Sequence, residues 1–240
     1  MGYNAGTVAG YCSEPMTRVN VSGTYVQALG YTGGIAGRSY SNITDCHAQG
    51  RVIATGKQVF SGGLVGHGSK QTTASPAPVI TRCSYTGVVQ ATGDEIGVGG
   101  LFGALSYSKL QSSFANAVVS NASSISAYVG GLVGTTFQSE ITDCYATGYV
   151  RNPETTMCGG LVGHNTKGLN NEVPTVIRSS YSSAMVLTKS ASDTRGITGD
   201  TENFTITDCW FDNQVGVLPG AKWGLNTSAL TSGALPQGFR

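Results

Sequence analysis

The sequence has few charged residues and no long apolar segment, and both absences narrow the class of protein. Charged residues make up 11% of the 240 residues, and the formal net charge is only +1. A domain that binds nucleic acid usually carries a basic patch or stripe, so we predict no nucleic-acid partner. No run of about 20 apolar residues occurs, and we therefore predict no membrane insertion. No long segment has the periodicity of an amphipathic helix either, which argues against a helical fold.

Glycine, by contrast, is abundant. The chain contains 35 glycines, together with many serine, threonine and asparagine residues. Valine, isoleucine, tyrosine and threonine recur in short runs between them. This combination is typical of short β-strands joined by tight turns.

Two short elements alternate along the chain and define an internal repeat. The first is Gly-Gly followed by two apolar or small residues and a third glycine, as in GGLVG. Its five best copies have spacings of 29, 37, 31 and 29 residues and start at Gly33, Gly62, Gly99, Gly130 and Gly159. Weaker copies start at Gly6 and Gly196. The second element resembles ITDCYATGYV and starts at Ile43, Ile80, Leu110, Ile141, Ile177 and Ile206.

The repeat predicts an all-β, parallel β-solenoid (β-helix) of about seven coils of 29–37 residues. A unit of this size cannot bury its own apolar face, so like units must stack on one another. We expect a right-handed solenoid, because parallel β crossovers favour that hand. Two ladders of apolar side chains should fill the interior, namely Leu64, Leu101, Leu132 and Leu161, and Ile43, Ile80, Leu110, Ile141, Ile177 and Ile206.

Two of the units are longer than the others, because residues 67–79 and 164–176 are inserted between their two elements. In a stack of coils both insertions should emerge from the same side. A rigid scaffold commonly presents binding residues on such loops. The candidate ligand contacts in these loops are His67, Lys70, His164 and Lys167.

A row of aromatic residues follows the cysteine position of the second element. Strand alternation predicts that the row faces outward, and its members are His47, Phe114, Tyr145, Tyr181 and Trp210, with Ser84 interrupting it. Such a row could stack on sugar rings through its flat faces. It could equally be an aromatic stack that only stabilises the solenoid. Tyr145, Tyr181 and Trp210 therefore join the candidate ligand contacts.

Six cysteines could suggest disulfides, but four of them share one repeat position. Cys46, Cys83, Cys144 and Cys209 occupy a position that Ser113 and Ser180 fill in other coils. This pattern favours a ladder of small, inward, unpaired side chains over disulfides. Cys12 and Cys158 lie outside the ladder, and the sequence does not pair them.

The sequence predicts no catalytic, cofactor-binding or metal-binding residues. Asp45, Asp143 and Asp208 fall on coils too far apart to share an ion, and a role in closing turns explains them. His67 and His164 show no zinc-ligand spacing. No pair of carboxylates or nucleophile with its base converges, so we expect a protein that is not an enzyme.

The repeated elements resemble a known family. GGLVG followed by DCYATG-V resembles the GLUG repeat of bacterial surface and secreted proteins, including adhesin-like proteins and non-catalytic regions of IgA-specific metallopeptidases. The resemblance covers roughly residues 6–215 and predicts a repeat array over 1–215. The tail looks like the segment that closes such arrays, and we expect a C-terminal cap over 216–240.

The resemblance implies an exported bacterial protein with an adhesive or scaffolding role, for which a host glycan or protein would be the partner. Two alternatives stay open: a carbohydrate-active, lyase-like β-helix enzyme or its accessory module, and a pure structural spacer. No signal peptide is visible before the first repeat. We therefore expect this chain to be a segment of a longer extracellular or cell-surface protein.

Overall fold

The fold is a parallel β-solenoid, as the repeat predicts. The computed structural model describes residues 4–57, 60–93, 97–122, 127–152, 154, 157–167, 173–188, 196–200, 202–215, 224–225 and 228. Like strands of successive coils pair in parallel and form four sheets of six, six, seven and eight strands. Each of the first six coils contributes one strand to every sheet, and each coil therefore has four strands, whereas the repeat shows only two sequence elements.

The four sheets follow one another around each coil. Sheet 1 contains Asn4–Ala5, Tyr31–Gly33, Phe60–Gly62, Gly97–Gly99, Tyr128–Gly130 and Cys158–Gly159. Sheet 2 contains Ala9–Cys12, Ala36–Ser39, Val65–Gly68, Phe102–Ser106, Val133–Phe137 and Val162–Asn165. Sheet 3 contains Met16–Thr17, Ile43–Thr44, Val79–Thr81, Lys109–Gln111, Glu140–Thr142, Thr175–Arg178 and Phe204–Thr207. Sheet 4 contains Asn20–Ala28, His47–Ala54, Ser84–Ala91, Phe114–Asn121, Tyr145–Asn152, Tyr181–Thr188, Trp210–Asp212 and Gly224–Leu225.

Apolar ladders fill the space between the sheets. The leucines of the glycine motif are completely buried, and the isoleucine ladder is at most 1% exposed from Ile43 to Ile177. Ile206, in the last coil, is only partly buried. Because each buried side chain packs on the side chain at the equivalent position of the next coil, the core is one continuous column along the solenoid axis.

The Gly-Gly turns bring the backbones of neighbouring coils into direct contact. A Cβ atom added to Gly100 would lie 2.1 Å from the carbonyl oxygen of Gly131, and one added to Gly131 would lie 2.1 Å from that of Gly160. At Gly63 the added atom would also meet the ring of buried Tyr85, at 2.2 Å. Only glycine allows this approach. We call these turns, together with sheets 1 and 2, the glycine edge.

The cysteine ladder lies at the turn that leads into sheet 4. Each buried thiol or hydroxyl donates a hydrogen bond to the carbonyl oxygen two residues earlier, as Cys144 Sγ does to Thr142 at 3.1 Å and Ser113 Oγ does to Gln111 at 2.7 Å. The residue between them is left-handed, as in Asp143 with φ of 54°. All six cysteines, including Cys12 and Cys158, are free thiols, in agreement with the ladder interpretation.

The far end of sheet 4 is extended by part of the predicted cap. The strand Gly224–Leu225 pairs with Phe211 and Asp212, and Asn213 N donates to the Leu225 carbonyl oxygen at 2.9 Å. Apart from residues 224–225 and 228, the segment 216–240 lies outside the described residues. Within the described part of the chain, no helix is long and apolar enough to cross a membrane.

Candidate binding site between the two long loops

The two insertions emerge from the same side of the solenoid, as the sequence predicts, and a cleft lies between them. The loop of coil 3 forms one wall and residues 173–176 of the coil 6 loop form part of the other, whereas residues 168–172 lie outside the described residues; the short turns of coils 4 and 5 form the floor. Its volume is about 270 Å³, and its lining residues are Lys70, Ser75, Ala77, Tyr107, Ser108, Lys109, Gln138, Ser139, Glu140, Val173, Pro174 and Val176. This volume is close to the lower end of the range for ligand pockets, so the cleft suits a short segment of a larger ligand.

Backbone hydrogen bonds hold both ends of the coil 3 loop. At its start, Ser69 N donates to the Ser39 carbonyl oxygen at 3.0 Å. At its end, Val79 N donates to Asn42 Oδ1 at 2.8 Å, and the Pro78 carbonyl oxygen accepts from Lys109 N at 2.8 Å. The loop is therefore tied to coils 2 and 4, which fixes this wall of the cleft.

A buried polar network holds the coil 6 loop. Asn165 Oδ1 accepts hydrogen bonds from Thr136 Oγ1 at 3.0 Å and Thr175 Oγ1 at 2.8 Å, and Asn165 Nδ2 donates to the Asn203 carbonyl oxygen at 2.9 Å. Ser139 N donates to Thr175 Oγ1 at 3.3 Å. Because Asn165 and Thr175 are fully buried, the network anchors the second wall to coils 5 and 7.

The cleft offers charged groups of both signs beside one aromatic ring. Lys70 Nζ lies 4.3 Å from the centre of the Tyr107 ring and donates to the Thr73 carbonyl oxygen at 3.3 Å. On the floor, Glu140 pairs with Lys109 at 3.4 Å and with Arg178 at 3.8 Å. These contacts leave further donors on the lysines and acceptors on Glu140, which can fix the orientation of a polar ligand.

His67 does not line the cleft. It lies on the outer surface of sheet 2, where its ring packs 5.5 Å from Phe60 and 5.8 Å from Tyr31. Its Nδ1 atom accepts a hydrogen bond from Arg38 Nη2 at 3.3 Å. Burial lowers the pKa of His67 to about 4, and the Arg38 charge acts in the same direction. His67 is therefore a neutral, packed side chain at physiological pH.

His164 and Lys167 are held by the last coil. His164 stacks on Tyr128, with the ring centres 4.4 Å apart, and its Nδ1 atom contacts the carboxylate of Asp200. Lys167 pairs with Glu202 at 2.5 Å. Of the four candidates in the loops, the structure therefore brings only Lys70 into the cleft. Across the described residues, no three His, Cys, Asp or Glu side chains group as a metal site.

The aromatic row forms a ladder on the outer face of sheet 4. Phe114 stacks on Tyr145 at 4.8 Å with parallel rings, and Tyr145 stacks on Tyr181 at 5.1 Å and 10°. Strand register places Trp210 beside Tyr181. Burial raises the pKa of Tyr145 and of Tyr181. Because both faces of the Tyr145 ring are covered, a ligand could reach only its edge.

The sequence did not single out the residues on the floor of the cleft. Tyr107, Lys109, Gln138 and Glu140 belong to short turns that carry no insertion, so nothing marks them as functional. Their signal is positional: they occupy the same place in coils 4 and 5 that the long loops occupy in coils 3 and 6. An alignment of the repeats by structure is needed to see it.

The fold defines the chain as a β-solenoid repeat module, and comparison with known proteins identifies the repeat. The family described as the GLUG motif matches residues 28–53 and 125–151. The chain thus carries GLUG repeats at two positions, in the coils that contain Gly33 and Gly130.

One similar solved structure is that of a candidate immunoglobulin A1 protease from Bacteroides ovatus. Its TM-score is 0.60 at 20% sequence identity, and the match covers 85% of this chain and 59% of that chain. At this identity the likeness establishes the shared fold. This chain spans 59% of the length of that protein. No curated protein matches the sequence.

Proposed function

We propose that the chain is a non-catalytic repeat module of a bacterial secreted or surface protein, with a role in adhesion or scaffolding. In this proposal, a host glycan or protein binds the cleft between the two long loops. The observation that carries the proposal is the pair of loops, three coils apart, that stand on either side of a cleft with a polar floor. The GLUG repeats and the shared fold support the assignment to this class of module.

The build of the cleft supports binding. Its floor is formed by short turns and the paired strands that directly follow them, and its walls are anchored at both ends, so little conformational entropy would be lost when a partner binds. The loops themselves differ in sequence, as expected where a scaffold is kept and its contacts vary.

The charges of the cleft support a non-catalytic role. Glu140 is the single carboxylate among the described residues that line the cleft, and Lys109 and Arg178 already engage it. Glycoside hydrolysis commonly uses two carboxyl groups on either side of the scissile bond. The cleft therefore suits recognition better than bond cleavage.

The test is a variant in which both loops are shortened to the length of the coil 5 turn. Removal of residues 71–77 and 168–174 leaves Lys70, Lys167, Asn165 and Thr175 in place, so the buried network that anchors coil 6 survives. The new turns match those in which Tyr107 and Gln138 adopt left-handed conformations. Circular dichroism and thermal unfolding would confirm that the solenoid still folds.

Binding of both proteins to arrays of glycans and host proteins is the readout. We expect a partner that binds the intact chain and is lost in the shortened variant. A single substitution, Glu140→Gln, should weaken the same partner, because it removes the charge that orders Lys109. If the intact chain binds nothing, the proposal is wrong and the spacer interpretation is favoured. If the shortened variant binds equally well, the cleft is not the binding site, and the outer face of sheet 4 becomes the next candidate.

A further inference from the structure

The aromatic ladder of sheet 4 ends at Phe114, which has a stacked ring on one side only. Phe114 is covered by Tyr145 on one side, with the two rings parallel and 4.8 Å apart. On its other side the register places Ser84, whose side chain is too small to cover a ring. Phe114 therefore differs from Tyr145, which has a ring on both sides.

One layer of the ladder is missing at Ser84. The register places His47 on the far side of Ser84, so His47 and Phe114 are two strand spacings apart, about 10 Å. Within the described part of the chain, no ring contact joins His47 to Phe114. The ladder therefore lacks one ring at Ser84, and we call this position the notch.

Polar groups border this notch. His47 Nδ1 and Ser84 Oγ are hydrogen-bonded at 2.7 Å. On the side of the preceding turn, Arg82 makes a two-point ion pair with Asp45, at 2.6 and 3.0 Å. Thr86 lies on the other side, as the next outward residue of the same strand. The notch thus combines one flat apolar face with hydroxyl, imidazole and charged groups around it.

We propose that this notch is a carbohydrate subsite that binds one pyranose ring of a glycan. A pyranose has a C–H face that packs on an aromatic ring, and its hydroxyls can bond to polar groups at the edge. An aromatic side chain of a partner would fill the same thickness. It would, however, give fewer hydrogen bonds to the exposed His47 imidazole and Thr86 hydroxyl, and these polar groups favour the sugar.

The subsite is independent of the cleft between the loops. The notch lies on the outer face of sheet 4, whereas the cleft lies where sheets 2 and 3 meet. Shortening the loops would therefore leave the notch intact, and the two proposals can fail separately.

The test uses the intact chain and three probes, the methyl β-glycosides of glucose, galactose and N-acetylglucosamine at millimolar concentration. Saturation-transfer NMR would detect which ring protons contact the protein. Ser84→Phe places a ring in the notch and completes the ladder, so it should weaken binding at least about tenfold, or 1.4 kcal/mol, without loss of stability. Phe114→Leu should weaken binding about three- to tenfold, because it removes the flat face but keeps an apolar side chain.

Ser183→Phe is the matched control. Ser183 faces outward on the same sheet, three coils from Ser84, and the same change there should leave glycoside binding unaltered. The proposal is overturned if the intact chain transfers saturation to none of the glycosides, or if Ser84→Phe binds as well as the intact chain does. Binding of N-acetyltyrosinamide with no binding of the glycosides would overturn it too, in favour of an aromatic partner.

Discussion

The glycine edge and sheet 4 stack the same coils in different ways. At the glycine edge, the backbone of one coil lies so close to the backbone of the next that no Cβ atom fits between them, as where Gly100 meets Gly131. On sheet 4 long parallel strands pair through their backbones, and side chains such as the rings of Phe114 and Tyr145 also stack from coil to coil. At the glycine turns only glycine fits, whereas most positions of sheet 4 require only a side chain of suitable size and polarity that points to the correct face of the sheet. Variation, and hence function, is therefore expected outside the glycine turns.

The largest expected effect is at the glycine edge. Gly100→Ala would place a Cβ atom 2.1 Å from the Gly131 carbonyl oxygen and 2.6 Å from Ala115 Cβ. Because backbone cannot move aside as a flexible side chain can, we expect a loss of about 3 kcal/mol or more in the free energy of unfolding. Chemical denaturation would measure it.

Gly23→Ala provides the control for that substitution. Gly23, unlike Gly100, has the left-handed conformation that favours glycine, with φ of 67°, but nothing lies within 4 Å of its added Cβ. It should lose only about 1 kcal/mol, the cost of a left-handed alanine. Equal losses at the two positions would contradict the claim that close approach of the coils, and not φ, makes the edge intolerant.

The second prediction concerns the pH dependence of stability that is due to His67, on the outer surface of the glycine edge. The pKa of His67 falls to about 4 on burial, whereas that of an unfolded histidine is about 6.5. Between pH 4 and 6.5 the unfolded chain therefore binds a proton at this histidine more readily than the folded chain does. The contribution of neutral, buried His67 to the free energy of unfolding is complete above pH 6.5. About 3 kcal/mol of it is lost as the pH falls towards 4.

His67→Gln isolates this contribution, since glutamine can still accept a hydrogen bond from Arg38. Denaturation of both proteins from pH 4 to 8 should show a smaller decline in the variant. If the two stabilities decline in parallel, His67 does not titrate as its burial indicates, and the outer surface of the edge is looser than the structure shows.

The smallest expected effect is at the turn that leads into sheet 4. Cys144→Ser should change stability by less than about 0.5 kcal/mol, because Ser113 and Ser180 already perform the same hydrogen bond in other coils. Cys144→Ala removes the donor and should cost about 1 kcal/mol. Thermal unfolding of the two variants would separate them. If the alanine variant proves as stable as the serine variant, only the size of the side chain matters at this position.

Part of this outcome follows from the repeated sequence. The strand alternation that placed Tyr145 outward was correct, because a pleated strand has a period of two. The leucines of the glycine motif are buried, as the repeat predicted, although they lie in the turns between sheets 1 and 2. The shared position of Cys144 and Ser113 indicated a small buried residue. It did not reveal that the residue must be a donor, because the acceptor is the carbonyl oxygen of a left-handed turn that only the folded chain displays.

By itself, the sequence determined the solenoid, the number of its coils, the glycine turns and the common side from which the long loops emerge, because each of these follows from periodicity along the chain. The tertiary structure alone decided which side chains meet. It placed Lys70 with Tyr107 and Glu140 in a cleft, and it placed His67 and His164 in packed positions. The physical reason is that such contacts join coils about 30 residues apart, where the register of parallel strands, and not nearness in sequence, sets the neighbours.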